Sequence, residues 1–287
     1  MKRALLVALV LSVPWVPVQA GQDCTEKSPT AVGMNRALEL ATQVQRDLDR
    51  RQAHAAILAR AGSDVSRYGL RYTHAALVYR APDTGRWTVL HKLNHCGRED
   101  ADLFSQGLAN FFLEDPWEYR ALILVPHAPL QANLLAQVAH DQGQSVHQPR
   151  YSVLAYPFAP DYQNSNGWLL EFVELAQSGG TIIGRKAIQS TLRENGYRPD
   201  RIEVGPFERI GASLFKANVS FLDHPLSERL SGRYAVVTVE SMVRYLGERG
   251  QIDALDEVAL DHTRLTWPMH NLESAARQDD PAPHTRP

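Results

Sequence analysis

The chain has 287 residues, of which 44% are hydrophobic and 22% charged, and its formal net charge is −2. That apolar share is ample for a sizeable core, and the length suits one large domain or two small ones. A near-neutral, slightly acidic balance gives no general electrostatic reason to bind nucleic acid or an anionic membrane surface.

The N-terminus reads as a leader. Met1-Lys2-Arg3 is a short positive stretch, residues 4–13 are apolar, and Val18-Gln19-Ala20 sets small residues before Gly21. This is the pattern of a secretory signal peptide over residues 1–20. A membrane anchor is the competing reading, but Pro14 and Pro17 interrupt the apolar run well short of the roughly 20 residues a spanning helix needs. No later segment of the sequence is long and apolar enough to span. The expectation is therefore an exported protein, periplasmic or secreted, with a single domain over residues 21–267 and a disordered tail over residues 268–287. That tail is rich in Pro, Asp, Arg and His and has few apolar anchors.

Two cysteines occur, Cys24 and Cys96. In an oxidising compartment such a pair reads first as a disulfide, closing a long loop and stabilising the fold by up to about 4 kcal/mol. The other reading makes Cys96 a thiol nucleophile activated by a neighbouring histidine.

Along the mature chain, leucines and alanines at helical spacing predict an amphipathic helix over residues 35–61. Residues 72–80 and 86–93 read as two strands around the turn Pro82-Asp83-Thr84-Gly85. A helix is predicted over 101–113, stopped by Pro116, followed by a strand over 119–125 and a helix over 130–140. Residues 151–156 read as a strand or an extended segment. An apolar-striped helix follows Gln163-Asn164-Ser165-Asn166, and another covers 185–195, closed by Gly196. A strand is expected within 202–210, another at 234–239, and a helix from 240 to 246. The role of residues 201–266 as a whole stays open between completing a sheet and capping a site. This order suits an α+β domain with helices packed on one antiparallel sheet. Walker, Rossmann, HExxH and Gly-x-Ser-x-Gly motifs are all missing from the sequence.

Two features carry chemistry. His74 lies in an otherwise apolar strand, Tyr72-Thr73-His74-Ala75-Ala76-Leu77-Val78-Tyr79, and Ser165 stands at the expected start of a buried helix. A helix N-terminus stabilises a developing anion, and a histidine on an adjacent strand can take a hydroxyl proton. The plainer readings are a satisfied core histidine and an ordinary cap, Asn164 or Ser165, contributing about 1 kcal/mol. If the hairpin loop has four residues, His74 pairs with Leu93, and His91 and His95 lie diagonally on the same face; a one-residue slip sets Asn94 opposite instead. His95 or Asn94 is the expected orienter of His74. His91 and His95 are too far apart on a strand, about 13 Å, to share a metal ion, although His74 with either is geometrically feasible. Neither a metal nor a cofactor is expected.

The segments Tyr68-Gly69-Leu70-Arg71-Tyr72-Thr73-His74-Ala75, Gly85-Arg86-Trp87-Thr88-Val89 with Leu93-Asn94-His95-Cys96-Gly97, Gln106-Gly107-Leu108 with Asn110-Phe111-Phe112, and Tyr162-Gln163-Asn164-Ser165 resemble an exported bacterial family known only as a domain of unknown function, number 2145, as does the stretch from Asp223-His224-Pro225 through Leu230-Ser231-Gly232. A more distant likeness, in the order of an early-strand histidine and a later nucleophile at a helix start, is to circularly permuted papain-like hydrolases of the NlpC class. That resemblance implies a papain-like fold and cleavage of amide or ester bonds, with a cell-envelope substrate. His74 would be the base, Ser165 the nucleophile where the class carries Cys, and Asn164 an oxyanion or capping donor. The alternative is a non-catalytic binding or assembly protein on the same fold. No particular partner is implied.

Overall fold

The computed structural model describes residues 29–113, 116–209 and 218–260. The expected leader, Cys24 and the expected disordered tail lie outside the described residues. Helix α1 (Ala31–Arg50) opens the chain, capped by Thr30, whose side chain accepts from Gly33 N. It turns its Ala37, Leu40, Ala41, Val44 and Leu48 inwards, the stripe expected at 3.6-residue spacing.

The expected helix over 35–61 is corrected here. It ends at Arg50, Gln52 adopts a left-handed φ of 53°, and Ala55–Ala61 forms strand β1, all seven residues of which are buried. An Ala-rich strand covered on both faces has no apolar–polar alternation to betray it, and its composition favours a helix locally. Strands β2 (His74–Arg80) and β3 (Trp87–Asn94) form the expected hairpin.

The helix expected over 101–113 is likewise two elements, strand β4 (Ala101–Gly107) and the short helix α2 (Leu108–Leu113). Strand β5 (Glu118–Pro126) and helix α3 (Ala128–Ala139) follow as read. Residues 151–156 form no strand, and a turn occupies residues 153–154. Helices α4 (Ser165–Gln177) and α5 (Arg185–Glu194) match their expected positions. After them come β6 (Asp200–Glu203), α6 (Leu226–Ser231), β7 (Arg233–Val236), α7 (Val239–Glu248) and β8 (Ile252–Ala259), the last an edge strand that the sequence pattern does not announce.

The architecture is α+β. Six antiparallel strands run in the order β4-β3-β2-β1-β5-β8. Alternate residues of β2 serve opposite cores: Ala76 and Val78 pack with α1 and with Phe111 and Phe112 of α2, whereas Ala75 and Leu77 pack with α4. Burying a side chain such as Leu77 or Phe172 contributes about 1.5–3 kcal/mol, so the two layers fix the helices firmly on the sheet. A smaller two-stranded sheet, β6 with β7, forms a separate lobe around Ile202, Tyr234 and Val236. The described residues within 201–266 thus do both things left open by the sequence: β8 completes the main sheet, and β6 with β7 forms a lobe that walls the cavity described below. No helix of the described residues is long and apolar enough to cross a membrane.

Candidate active site

His74 is the first residue of β2 and Ser165 the first of α4, so both sit at ends of their elements and meet at one edge of the core. Ser165 Oγ lies 3.1 Å from His74 Nδ1. The other ring nitrogen, His74 Nε2, lies 2.9 Å from Nδ1 of His91, and His91 Nε2 lies 2.8 Å from the amide nitrogen of Gln106. Serine, two histidines and a glutamine thus form one continuous hydrogen-bonded chain.

The expected orienter, His95, is corrected. The observed pairs Leu77–Leu90 to Arg80–Trp87 extend to His74 opposite Leu93, the anticipated register. Of the two diagonal histidines, however, only His91 lies within β3; it is fully buried and packs edge-on to Phe111. His95 falls beyond the strand end, where the chain turns, and pairs with Asp102 at 2.8 Å on an exposed surface. Asn94 instead has its side-chain amide directed at the His95 carbonyl.

The start of α4 is fixed by its asparagines. Asn164 is the N-cap: its Oδ1 accepts from Gly167 N at 2.6 Å, and its Nδ2 reaches the carbonyls of Val153 and Val237. With both ends of the amide engaged, Asn164 works as a cap, and its side chain has no donor left for an oxyanion. A Cβ on Gly167 would approach Asn164 Oδ1 to 2.9 Å, so a larger residue there would have to displace the cap slightly. Asn166 accepts from Ala75 N at 2.9 Å and donates to Thr73 O at 3.3 Å, which stitches α4 to the backbone on either side of His74. The main-chain N–H groups of Ser165 and Asn166, at the first two helical positions, have no carbonyl to bond within the helix and carry the positive end of its dipole.

Burial holds the His74 imidazole well below the usual histidine range, with lesser contributions from the charges of Arg60 and His91. Arg60 pairs across the sheet with His74 and stacks its guanidinium over Phe111, 5.1 Å from the ring centroid. His74 is therefore neutral at pH 7, the state a proton acceptor requires. Tyr151, which the sequence reading did not single out, shares a side-chain hydrogen bond with Ser165, and burial raises its own hydroxyl above the ordinary range. Gln106 belongs to a segment that carries the family resemblance, but the sequence assigns it no chemical role, since that role exists only through the β3–β4 pairing.

Ser165 lines an open cavity of about 560 Å³ between the start of α4 and the β6–β7 lobe. Among the described residues, no group of three or more His, Cys, Asp or Glu side chains is placed to hold a metal ion. Cys96 is not a free thiol, and Cys24 lies outside the described residues.

No match was found among curated proteins or among solved structures. The family described as an uncharacterised protein conserved in bacteria (DUF2145) matches residues 47–246, a span that includes His74, His91, Gln106, Tyr151 and Ser165. The chain belongs to that family.

Proposed function

We propose that the protein is a serine hydrolase of ester or amide bonds, built on a papain-like plan with Ser165 where that class carries cysteine. The observation that carries this reading is the 3.1 Å contact of Ser165 Oγ with His74 Nδ1 at a helix N-terminus on a cavity wall.

In the first half-reaction, His74 Nδ1 takes the Ser165 proton as Oγ bonds to the substrate carbonyl carbon. The oxyanion is stabilised by N–H groups of the first turn of α4, with the Tyr151 hydroxyl as a neighbouring donor. His74 then gives its proton to the leaving alcohol or amine as the carbon–heteroatom bond breaks. Water repeats the sequence on the acyl-serine and restores Ser165.

The direction of the hydrogen-bonded chain decides whether His74 can act. When the Gln106 carbonyl faces His91, His91 Nε2–H donates to it, His74 Nε2–H donates to His91, and Nδ1 is free to accept from Ser165. With the amide nitrogen facing His91, each bond reverses and His74 Nδ1 carries a hydrogen instead. A half-turn of one amide thus switches the site between a resting and a competent arrangement.

Export through the N-terminal leader and a Cys24–Cys96 disulfide belong to the same proposal. They are supported by the leader pattern and by the engaged state of Cys96. The test is labelling by a fluorophosphonate probe, with ester hydrolysis in parallel. Ser165→Ala should remove labelling, and His74→Ala should lower it by about 10³-fold or more while circular dichroism stays unchanged. Absence of labelling and hydrolysis in the unaltered protein would leave the second reading, a non-catalytic binding protein. That reading is favoured by one observation: serine needs a stronger base than cysteine does, and burial weakens His74 as a base.

A further inference from the structure

The cavity beside Ser165 has an unusual division of labour on its walls. Its apolar surface comes from Val153, Leu154, Ile202, Phe221, Val236 and Val237. Its polar side chains are almost all committed elsewhere. Thr73 Oγ1 accepts from Gly62 N, and the Tyr72 hydroxyl donates to Glu257 at 2.8 Å. Thr238 caps α7 and also binds Asp200, while Asn164 and Asn166 hold the start of α4. Arg67 pairs with Glu208 at 2.8 Å, both exposed, and also with the Tyr68 hydroxyl. Ser165 and Tyr151 also line this wall, where their hydroxyls are bonded to each other.

A peptide threaded into such a space would bring amide groups that find no partners, at a cost of about 1–3 kcal/mol each. A hydrocarbon chain brings none. At roughly 30 Å³ per water-sized unit, a cavity of about 560 Å³ has room for about eighteen such units, so a chain of about ten carbons with its ester group fits with space to spare. The residues next to the lining point the same way: Phe207, beside Glu208, and Leu222, beside Phe221, are 87% and 71% exposed. On α6, Leu226 and Leu230 are exposed one turn apart. An apolar surface around the lobe suits a substrate that resides in an amphiphile assembly rather than free in water.

We infer that the cavity is an acyl site for an ester of a straight, uncharged fatty acid of about ten carbons or more; this rests on the hydrolase reading of Ser165. The acyl carbonyl carbon lies at Ser165 Oγ and the chain extends under the β6–β7 lobe. The reaction balances as ester plus water to fatty acid plus alcohol: the Oγ–acyl bond forms as the ester C–O bond breaks, and water then cleaves the acyl-serine.

The experiment is a series of p-nitrophenyl esters from acetate to hexadecanoate, assayed with the full chain, alongside displacement of a fluorescent fatty acid by decanoate. The expected result is a kcat/KM that rises roughly fourfold per added methylene through at least about ten carbons before it levels or falls. Val204→Trp, which narrows the cavity from a partly exposed wall, should move that optimum to shorter chains. Ser165→Ala, unable to turn over, should still bind decanoate. Fastest hydrolysis of acetate, with no decanoate binding and no effect of Val204→Trp, would overturn the acyl site and leave the hydrolase standing. Decanoate binding that Val204→Trp weakens, with no ester cleaved, would instead overturn the hydrolase and keep the site as a fatty-acid pocket.

Discussion

His91 and Lys92 are neighbours on β3, both fully buried, and their side chains leave the sheet on opposite faces. Each begins a polar network in an otherwise apolar interior. From His91 the chain runs through His74 to Ser165 and stops at a cavity. From Lys92 it runs to Gln163 Oε1 at 2.9 Å and to the Gln148 carbonyl. Gln163 then donates to Glu171 at 2.8 Å, and Glu171 holds Arg185 through two contacts of 2.7 and 2.9 Å. This second network ends inside the protein, on the Val146, Pro160 and Tyr162 carbonyls. The lesson is that burial and good hydrogen bonds do not mark a reactive site. What marks it is a terminal hydroxyl whose next partner can be a substrate.

The comparison breaks most visibly at Glu171. Glu171→Ala leaves Arg185 buried without its carboxylate and should destabilise the fold by about 3–5 kcal/mol, read from chemical denaturation. Ester hydrolysis per folded molecule should be far less affected. The opposite split is expected at His91: His91→Ala should lower kcat/KM on the order of 100-fold through misorientation of His74, at modest cost in stability. Gln106 sharpens that prediction. Gln106→Glu, whose carboxylate only accepts, locks the competent direction of the chain and should keep activity, while Gln106→Leu should lose it; a pH–rate profile for both variants separates proton direction from simple packing. Removing the α4 cap with Asn164→Ala should cost about 1 kcal/mol in the same denaturation assay.

The gentlest test is a slope with pH. Burial lowers the Lys92 ammonium from 10.5 to about 7. Between these values the unfolded chain binds more protons than the folded one, so stability should rise as pH increases through this window. Lys92→Met should flatten that rise. His74 is also held below its ordinary range, so stability should fall as pH drops below about 6.5, where the unfolded histidine takes a proton that the folded one refuses. The competent neutral ring, by the same sign, should persist into mildly acid solution, and the acid limb of kcat/KM should lie below the ordinary histidine range.

Much of this arrangement was legible in the residues, for identifiable reasons. The β2–β3 hairpin is read from its turn and alternation, and its register set His91 in view as a diagonal neighbour of His74. Ser165 and Asn164 are found because helix starts have a chemistry of their own. By contrast, β1 and β4 were read as helix. Ala55-Ala56-Ile57-Leu58-Ala59-Arg60-Ala61 is buried throughout, so the pattern that distinguishes strand from helix is absent. Choosing His95 over His91 followed from not knowing where β3 ends. The roles of Gln106 and Tyr151 are not legible in the sequence because each enters the site through tertiary pairing, from β4 and from the segment after Arg150.

Asn166 fastens the first turn of α4 to the backbone on both sides of His74, and those two elements alone determine the Ser165–His74 separation. Much of the opposite cavity wall belongs to the β6–β7 lobe and the segment around Phe221. Chemistry and selectivity are therefore written in different parts of the chain. Relatives can exchange the lobe's side chains, and so the compound they accept, without retuning the proton transfer; the molecule is organised as a fixed tool with an interchangeable grip.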